Sequence, residues 1–180
     1  VNEAEAVEEA DWVADFISDY SITYPVAFDC EGFNTSESRQ KSMTKAERTA
    51  VATAFLQEIY DKGYTPMFYA ASSELTNNSQ WNTARLEKSF KIWVAQYPST
   101  PYPETPSTSY AGTCSMWQYT NQGRVAGIGT NVDINVAYFG YSESNSSLSG
   151  ETAAAASPDV EAGMVFTSVN DTVTAKDEVR

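Results

Sequence analysis

The sequence contains no histidine among its 180 residues. That absence removes Ser–His and Cys–His catalysis, histidine-ligated zinc and histidine general bases together. Acid–base chemistry must therefore come from carboxylates, tyrosine, lysine or a thiol. Cysteine is scarce as well. Cys30 and Cys114 are too few and too far apart for a metal cluster, and they are read as two buried thiols rather than a disulfide. Positive charge is sparse, with 11 Lys and Arg against 24 Asp and Glu and a net charge of −13. A surface of that sign repels phosphate backbones and anionic membranes, which argues against nucleic acid as a partner. It also suits a secreted, highly soluble protein. No run is long and apolar enough to span a bilayer and none reads as a signal peptide, so no membrane insertion is expected.

What the sequence does hold is core-forming material. Hydrophobic residues make up 42% and aromatics 13% of the chain, ample for one packed domain of ordinary size. The chain enters a helical pattern directly at Val1 and ends at Arg180 inside a strand-like pattern, so it is read as a piece of a longer protein.

Asn2 to Tyr20 is predicted helical, because Val7, Ala10, Ala14 and Ile17 recur at helical spacing with acids on the other face. Tyr24 to Glu31 reads as a buried strand bounded by Pro25 and Gly32, and a polar loop follows to Met43. Thr44 and Glu47 form a T-x-x-E capping box that opens a second helix, with Gly63 at its C′ position. Further strands are predicted at Thr65–Ala71, Phe90–Tyr97 and Cys114–Thr120, with a helix over Gln80–Ser89 and a partly extended element over Val132–Phe139. Alternating strands and helices mean β-α units on a parallel sheet, so the fold class is α/β. After residue 141 the composition changes. Ser142 to Pro158 is a Ser/Ala-rich linker, and Asp159 to Arg180 alternates around a turn at Asn170-Asp171, like the start of a small β module.

The stretch YPVAFDCEGF, Tyr24 to Phe33, raises a chemical question, since it ends an apolar strand in two acids. Buried acids are costly unless paired or used. Asp29 and Glu31 are two apart and so share one face of the strand, while Cys30 points to the other and is given no catalytic role. They stand at the C-terminal end, where parallel β/α proteins place active sites. Two neighbouring acids drive their proton affinities apart, leaving one to donate and one to stabilise, as glycoside cleavage requires. The plainer reading is a D-x-E that arises by chance on a solvated edge of an acid-rich chain.

Aromatics give a second clue. Tyr69, Trp93, Tyr97, Trp117 and Tyr119 lie on or at the ends of predicted strands, accompanied by Gln96 and Gln118. Flat rings with polar tips suit the C–H faces and hydroxyls of sugars. Each ring taken singly is more simply explained as core.

Together YPVAFDCEGF, PMFYA, IWVAQY and MWQYTNQGRVAGIGTNVDINVAYF follow the order and rough spacing of glycoside hydrolase family 25. The sequence resembles these Chalaropsis-type lysozymes over about Asn2 to Tyr141. The resemblance implies a modified TIM-type (β/α) barrel and an N-acetylmuramidase that cuts the β-1,4 bond between N-acetylmuramic acid and N-acetylglucosamine in peptidoglycan. It implies Glu31 as the catalytic acid, Asp29 as its partner and Asp133 as a further active-site aspartate. Tyr69 and Trp117 match groove positions, and Gln118 joins them. Read from its context alone, Asp133 is a turn residue capping a backbone amide.

The family opens with a strand bearing another aspartate in a D-x-S type motif, and no such segment stands here, so the barrel is expected to be partial. Asp29 is left with three roles: nucleophile, base for water, or partner to the substrate's acetamido group. No cofactor and no metal are expected, for the acids form no compact ligand string. The expected setting is a monomer acting outside the cell or at its wall. Two other functions remain: a glycan-binding remnant that does not cut, and a chitinase-like glycosidase. Asp159 to Arg180 resembles the start of a bacterial SH3-like, wall-binding module, with a plain flexible tail as the alternative reading.

Overall fold

The computed structural model describes residues 1–139 and 165–168. Helix α1, Glu3–Ile17, begins where Asn2 Oδ1 accepts the amide of Glu5 at 2.9 Å. It ends three residues earlier than the periodicity predicts. The backbone and hydroxyl of Ser18 both donate to the carbonyl of Asp15, which tightens and closes the last turn. Ala6, Ala10 and Ala14 are its buried stripe, small enough to bring α1 close against α2, Lys45–Asp61.

Helix α2 carries the predicted capping box in full. Thr44 Oγ1 accepts from the Glu47 amide and the Glu47 carboxylate accepts from the Thr44 amide. Gly63 follows the C-cap at φ 90°, a conformation that costs glycine nothing. Thr44→Ala is expected to cost about 1 kcal/mol of stability, read as a shifted denaturant midpoint with an unchanged slope. A shift indistinguishable from zero would mean that the box contributes nothing.

The strands are β1 (Val26–Asp29), β2 (Pro66–Ala71), β3 (Lys91–Ala95), β4 (Met116–Gly123), β5 (Val132–Ala137) and β6 (Val165–Ser168). They lie in one sheet in chain order. Strands β1 to β4 run parallel, and β5 and β6 are antiparallel additions. Short helices α3 (Ser72–Leu75) and α4 (Thr83–Ser89) join β2 to β3 around a 3-10 turn. Strand β1 is an edge of the sheet. The architecture is α/β, with the sheet curled into part of a barrel wall.

Two features differ from the sequence reading. Strand β1 is shorter than predicted at both ends, so Glu31 lies two residues past it. Strand β4 runs on to Gly123 and turns back as a hairpin into β5 instead of crossing over. Residues 124–131 are too few for the dozen or more that a parallel crossover needs. Gly123 makes the hairpin possible, since a Cβ there would meet Ile134 Cδ1 at 2.2 Å and the Val132 carbonyl oxygen at 2.8 Å.

The sheet has two packed faces. Phe28, Phe68, Ile92 and Val94 join Ala52, Phe55, Leu56 and Ile59 of α2 in the larger core. Met67, Met116 and Ala137 pack on the other face with Ala27 and Trp93. Both cysteines are free thiols. Burial raises the Cys30 thiol and pushes that of Cys114 up to about 12, so neither supplies a thiolate near neutral pH. No helix of the described residues is long and apolar enough to cross a membrane. The proposed linker, Ser142 to Pro158, lies outside the described residues, as does the proposed β module except for Val165–Ser168 beside β5.

Candidate active site

Parallel register sets the site. Asp29 is opposite Tyr69 and Tyr69 is opposite Trp93, so one level of the sheet carries all three on the face away from the helices. The next level joins Ala95, Gln118 and Asn135. Asp29 and Glu31 both reach solvent, while Cys30 between them is buried in the helix-side core. The alternation of the strand thus persists beyond its last ladder bond.

Hydrogen bonds connect the rest. Tyr69 Oη donates to Gln118 Oε1 at 3.1 Å, and the Tyr97 hydroxyl donates to the same oxygen. Gln118 Nε2 donates to Asp133 Oδ2 at 3.4 Å. Trp93 Nε1 donates to Asn135 Oδ1 at 2.9 Å, and its ring meets Tyr69 edge to face at 4.9 Å. Asp29, Glu31, Tyr69, Trp93, Tyr97, Gln118 and Asp133 are therefore gathered on one wall. Asn135 joins them, a residue outside the set of sequence candidates. Standing two residues after Asp133 on one strand, it could have been found by alternation alone.

Trp117 is a correction. Expected in the groove, it is fully buried (0% exposed) and donates its indole N–H to the Gln96 carbonyl at 2.7 Å. It packs with Tyr119 and Val136 on the helix-side face. Neighbours on a strand point to opposite faces, so Trp117 and Gln118 cannot both face one groove. Gln96 is likewise structural, with Oε1 accepting from Thr108 and Ser109 in the following loop.

Electrostatics show how closely the acids gather. Lost hydration raises the Asp29 carboxyl above its ordinary range, and the charges of Glu31 and Glu74 raise it further. The Tyr69 hydroxyl is raised too, first by burial and then by surrounding charges, including those of Glu31, Asp29 and Asp133. All three acids therefore act on one tyrosine. Glu74, on α3, has no sequence signature. It is half-buried, and Trp81 Nε1 donates to its Oε2 at 3.2 Å. Its carboxyl is raised by burial and by Glu31, against the lowering effects of Trp81 and Arg48.

These shifts have a stability consequence. The folded state holds the Asp29 proton more tightly than the unfolded chain, so folding takes up protons there. The contribution favours the folded state at low pH and is lost as pH rises through the raised midpoint. Asp29→Asn is therefore expected to raise the melting temperature at pH 7 and to leave it unchanged at pH 3. A mutant less stable than the parent at pH 7 would contradict the assignment.

Among the described residues, no three carboxylate or thiol groups converge in a way that could hold a metal ion. A shallow opening lined by Asn2, Met43, Glu47 and Val51 shares no residue with the acid wall.

A family model described as Glycosyl hydrolases family 25 matches residues 1–128. The chain belongs to that family. A Streptococcus phage B30 protein named D-alanyl-L-alanine endopeptidase is 26% identical over 94 residues, which cover 51% of this chain and 21% of the phage protein. The solved CTP1L endolysin has a TM-score of 0.57 at 22% identity, covering 80% of this chain and 45% of the endolysin. The spore cortex lytic enzyme SleM of Clostridium perfringens gives 0.52 at 22%, covering 76% and 45%. GHIP of Streptococcus pneumoniae, a glycosyl hydrolase 25, gives 0.54 at 19%, covering 82% and 60%. The chain thus spans about a fifth of the phage relative and about half of the two lytic enzymes. At these identities the solved structures show a shared fold.

Proposed function

We propose that this chain is the catalytic part of a peptidoglycan hydrolase, an N-acetylmuramidase cutting the β-1,4 bond between N-acetylmuramic acid and N-acetylglucosamine. The observation that carries the reading is the gathering of Asp29, Glu31 and Asp133 around Tyr69 on the face of the sheet away from the helices. Family membership supports the reaction class, and the endolysin and spore-cortex-lytic relatives support a cell-wall substrate.

Glu31 is the proton donor to the leaving glycosidic oxygen. Asp29, held close to a second acid, is its partner, and the acetamido oxygen of the substrate attacks the anomeric carbon while Asp29 accepts the acetamido N–H. The C1–O bond breaks with its electron pair on the leaving sugar, which takes the Glu31 proton. Water then opens the cyclic intermediate, with Glu31 as base. Asp133, steadied by Gln118, completes the negative wall. Tyr69, Trp93 and Tyr97 line the groove. The protein would act as a monomer outside the cytoplasm, on wall glycan.

The name of the phage relative denotes amide cleavage, but this chain contains no histidine and its thiols are held protonated. Endopeptidase activity is not proposed for it. Release of soluble reducing sugar from purified Gram-positive peptidoglycan tests the hydrolase reading. The expected result is release that grows with time. Retention of glycan by the protein with no release would identify a binding remnant instead.

A further inference from the structure

Glu31 lies beyond the last ladder residue of β1, so buried neighbours hold its segment in place. Cys30 before it sits in the helix-side core, and Phe33 after it is 2% exposed, meeting Trp81 edge to face at 5.5 Å. Gly32 turns the chain between them at φ 64°. Strand β2 is the parallel neighbour of β1, and α3 leaves its C-terminal end with no intervening loop. Glu74 is thereby placed at the end of the sheet where Asp29 and Glu31 emerge. Trp81 Nε1 donates to its Oε2 at 3.2 Å. One buried indole therefore holds both a third carboxylate and the segment that carries Glu31. The Trp81 bond does not need a charge at position 74, since a glutamine oxygen would accept it as well. A half-buried acid beside two others is costly unless it is used.

We propose that Glu74 is a positioning residue of the acid pair, held by Trp81 so that its fixed negative charge makes Asp29 a stronger acceptor for the acetamido N–H of the substrate. The proposal rests on the hydrolase reading above and deepens it. As the acetamido oxygen attacks the anomeric carbon, its N–H grows more acidic, and a more basic Asp29 stabilises that change better. The drawback falls at low pH, where Asp29 keeps its own proton and accepts nothing. Lost hydration acts first on Asp29, followed by the charges of Glu31 on its own segment and Glu74 on α3. Tyr69, opposite it on β2, is kept protonated by burial and by the charges around it. Around Glu74, burial and Glu31 favour the protonated form, while the Trp81 N–H and Arg48 on α2 favour the charged one. Arg48 itself donates to the carbonyls of Met43 and Gln80. Glu74 touches no glycan and acts through Asp29.

The test is carbon-13 NMR titration of the carboxyl groups of the full chain, with Asp29→Asn assigning the Asp29 signal, beside the pH profile of sugar release from peptidoglycan. Glu74→Gln keeps the size of the side chain and the oxygen that accepts from Trp81. The Asp29 midpoint is expected to fall below that of the parent, and the acid limb of kcat to move to lower pH with it. At the plateau kcat is expected to drop about three- to tenfold with KM unchanged, a fraction of what a proton-transfer partner contributes. Glu74→Asp retains the charge and should keep the midpoint and the limb near those of the parent. If Glu74→Gln does not fold, Trp81→Phe carries the same test. It keeps a buried ring, removes the N–H that favours the charged Glu74, and should shift the midpoint in the same direction by less.

An Asp29 midpoint indifferent to Glu74→Gln would overturn the proposal. A midpoint that moves as far in Glu74→Asp would also overturn it, by showing that shape and not charge is at issue. Movement of the midpoint with kcat and its acid limb unchanged would leave Glu74 without a part in the reaction and overturn it as well. A parent protein that releases no sugar, while its Asp29 midpoint follows the charge at position 74, would uphold the coupling and sink the hydrolase reading.

Discussion

Glu31→Gln is expected to lower sugar release from peptidoglycan by roughly 100- to 10,000-fold, the range typical of losing a general acid. The chain contains no histidine to take its place. Asp29 is not expected to substitute either, since the proposed mechanism engages it with the acetamido group. The substitution keeps size and hydrogen-bonding capacity at an exposed position, so the folded structure should be retained. Glycan affinity should persist within a few-fold, placing the loss in kcat and not in KM. Loss of binding with unchanged kcat would show that Glu31 holds the glycan and that another group donates the proton.

The largest expected stability effect lies behind the site. Trp81 is fully buried (0% exposed) and meets Phe33 and Phe68 edge to face at 5.5 and 4.9 Å. The guanidinium of Arg48 lies 5.3 Å from its ring centroid and 4.1 Å from that of Phe33. Trp81→Ala is expected to cost about 3–5 kcal/mol, the usual range for removing a large aromatic from a close-packed core. It also deprives Glu74 Oε2 of the indole N–H that holds it beside the acid pair. The buried Arg48 loses one of its two aromatic faces as well. Equilibrium denaturation measures the cost, and a value under about 1 kcal/mol would show that the surrounding rings collapse into the space.

Much of this was legible in the sequence because local signals and tertiary demands agree. The Thr44–Glu47 box and Gly63 bound α2 by their own chemistry, with little dependence on neighbours. The run ending in Asp29 reads as a strand because both of its faces are covered, and Cys30 falls on the core side as alternation requires. Trp117 departs from the position that family likeness implies because the same alternation holds in β4: with Gln118 facing away from the helices, its neighbour faces them. The antiparallel β5 was hidden by the rhythm of preceding β-α units, although the short span before it left no room for a crossover helix. Glu74 left no trace at all. It reaches the acids only because α3 turns directly off β2 and Trp81, seven residues on, bonds its carboxylate.

Two acids, Asp29 at the end of β1 and Glu31 two residues past it, are proposed to cut one particular glycosidic bond. The measurement that tests it most directly is digestion of purified peptidoglycan followed by borohydride reduction and identification of the new reducing end, with Glu31→Gln in parallel. The expected product is reduced N-acetylmuramic acid, lost in the variant. Reduced N-acetylglucosamine would place the cut at the other bond, and N-acetylmuramic acid released equally by the variant would remove Glu31 from the chemistry.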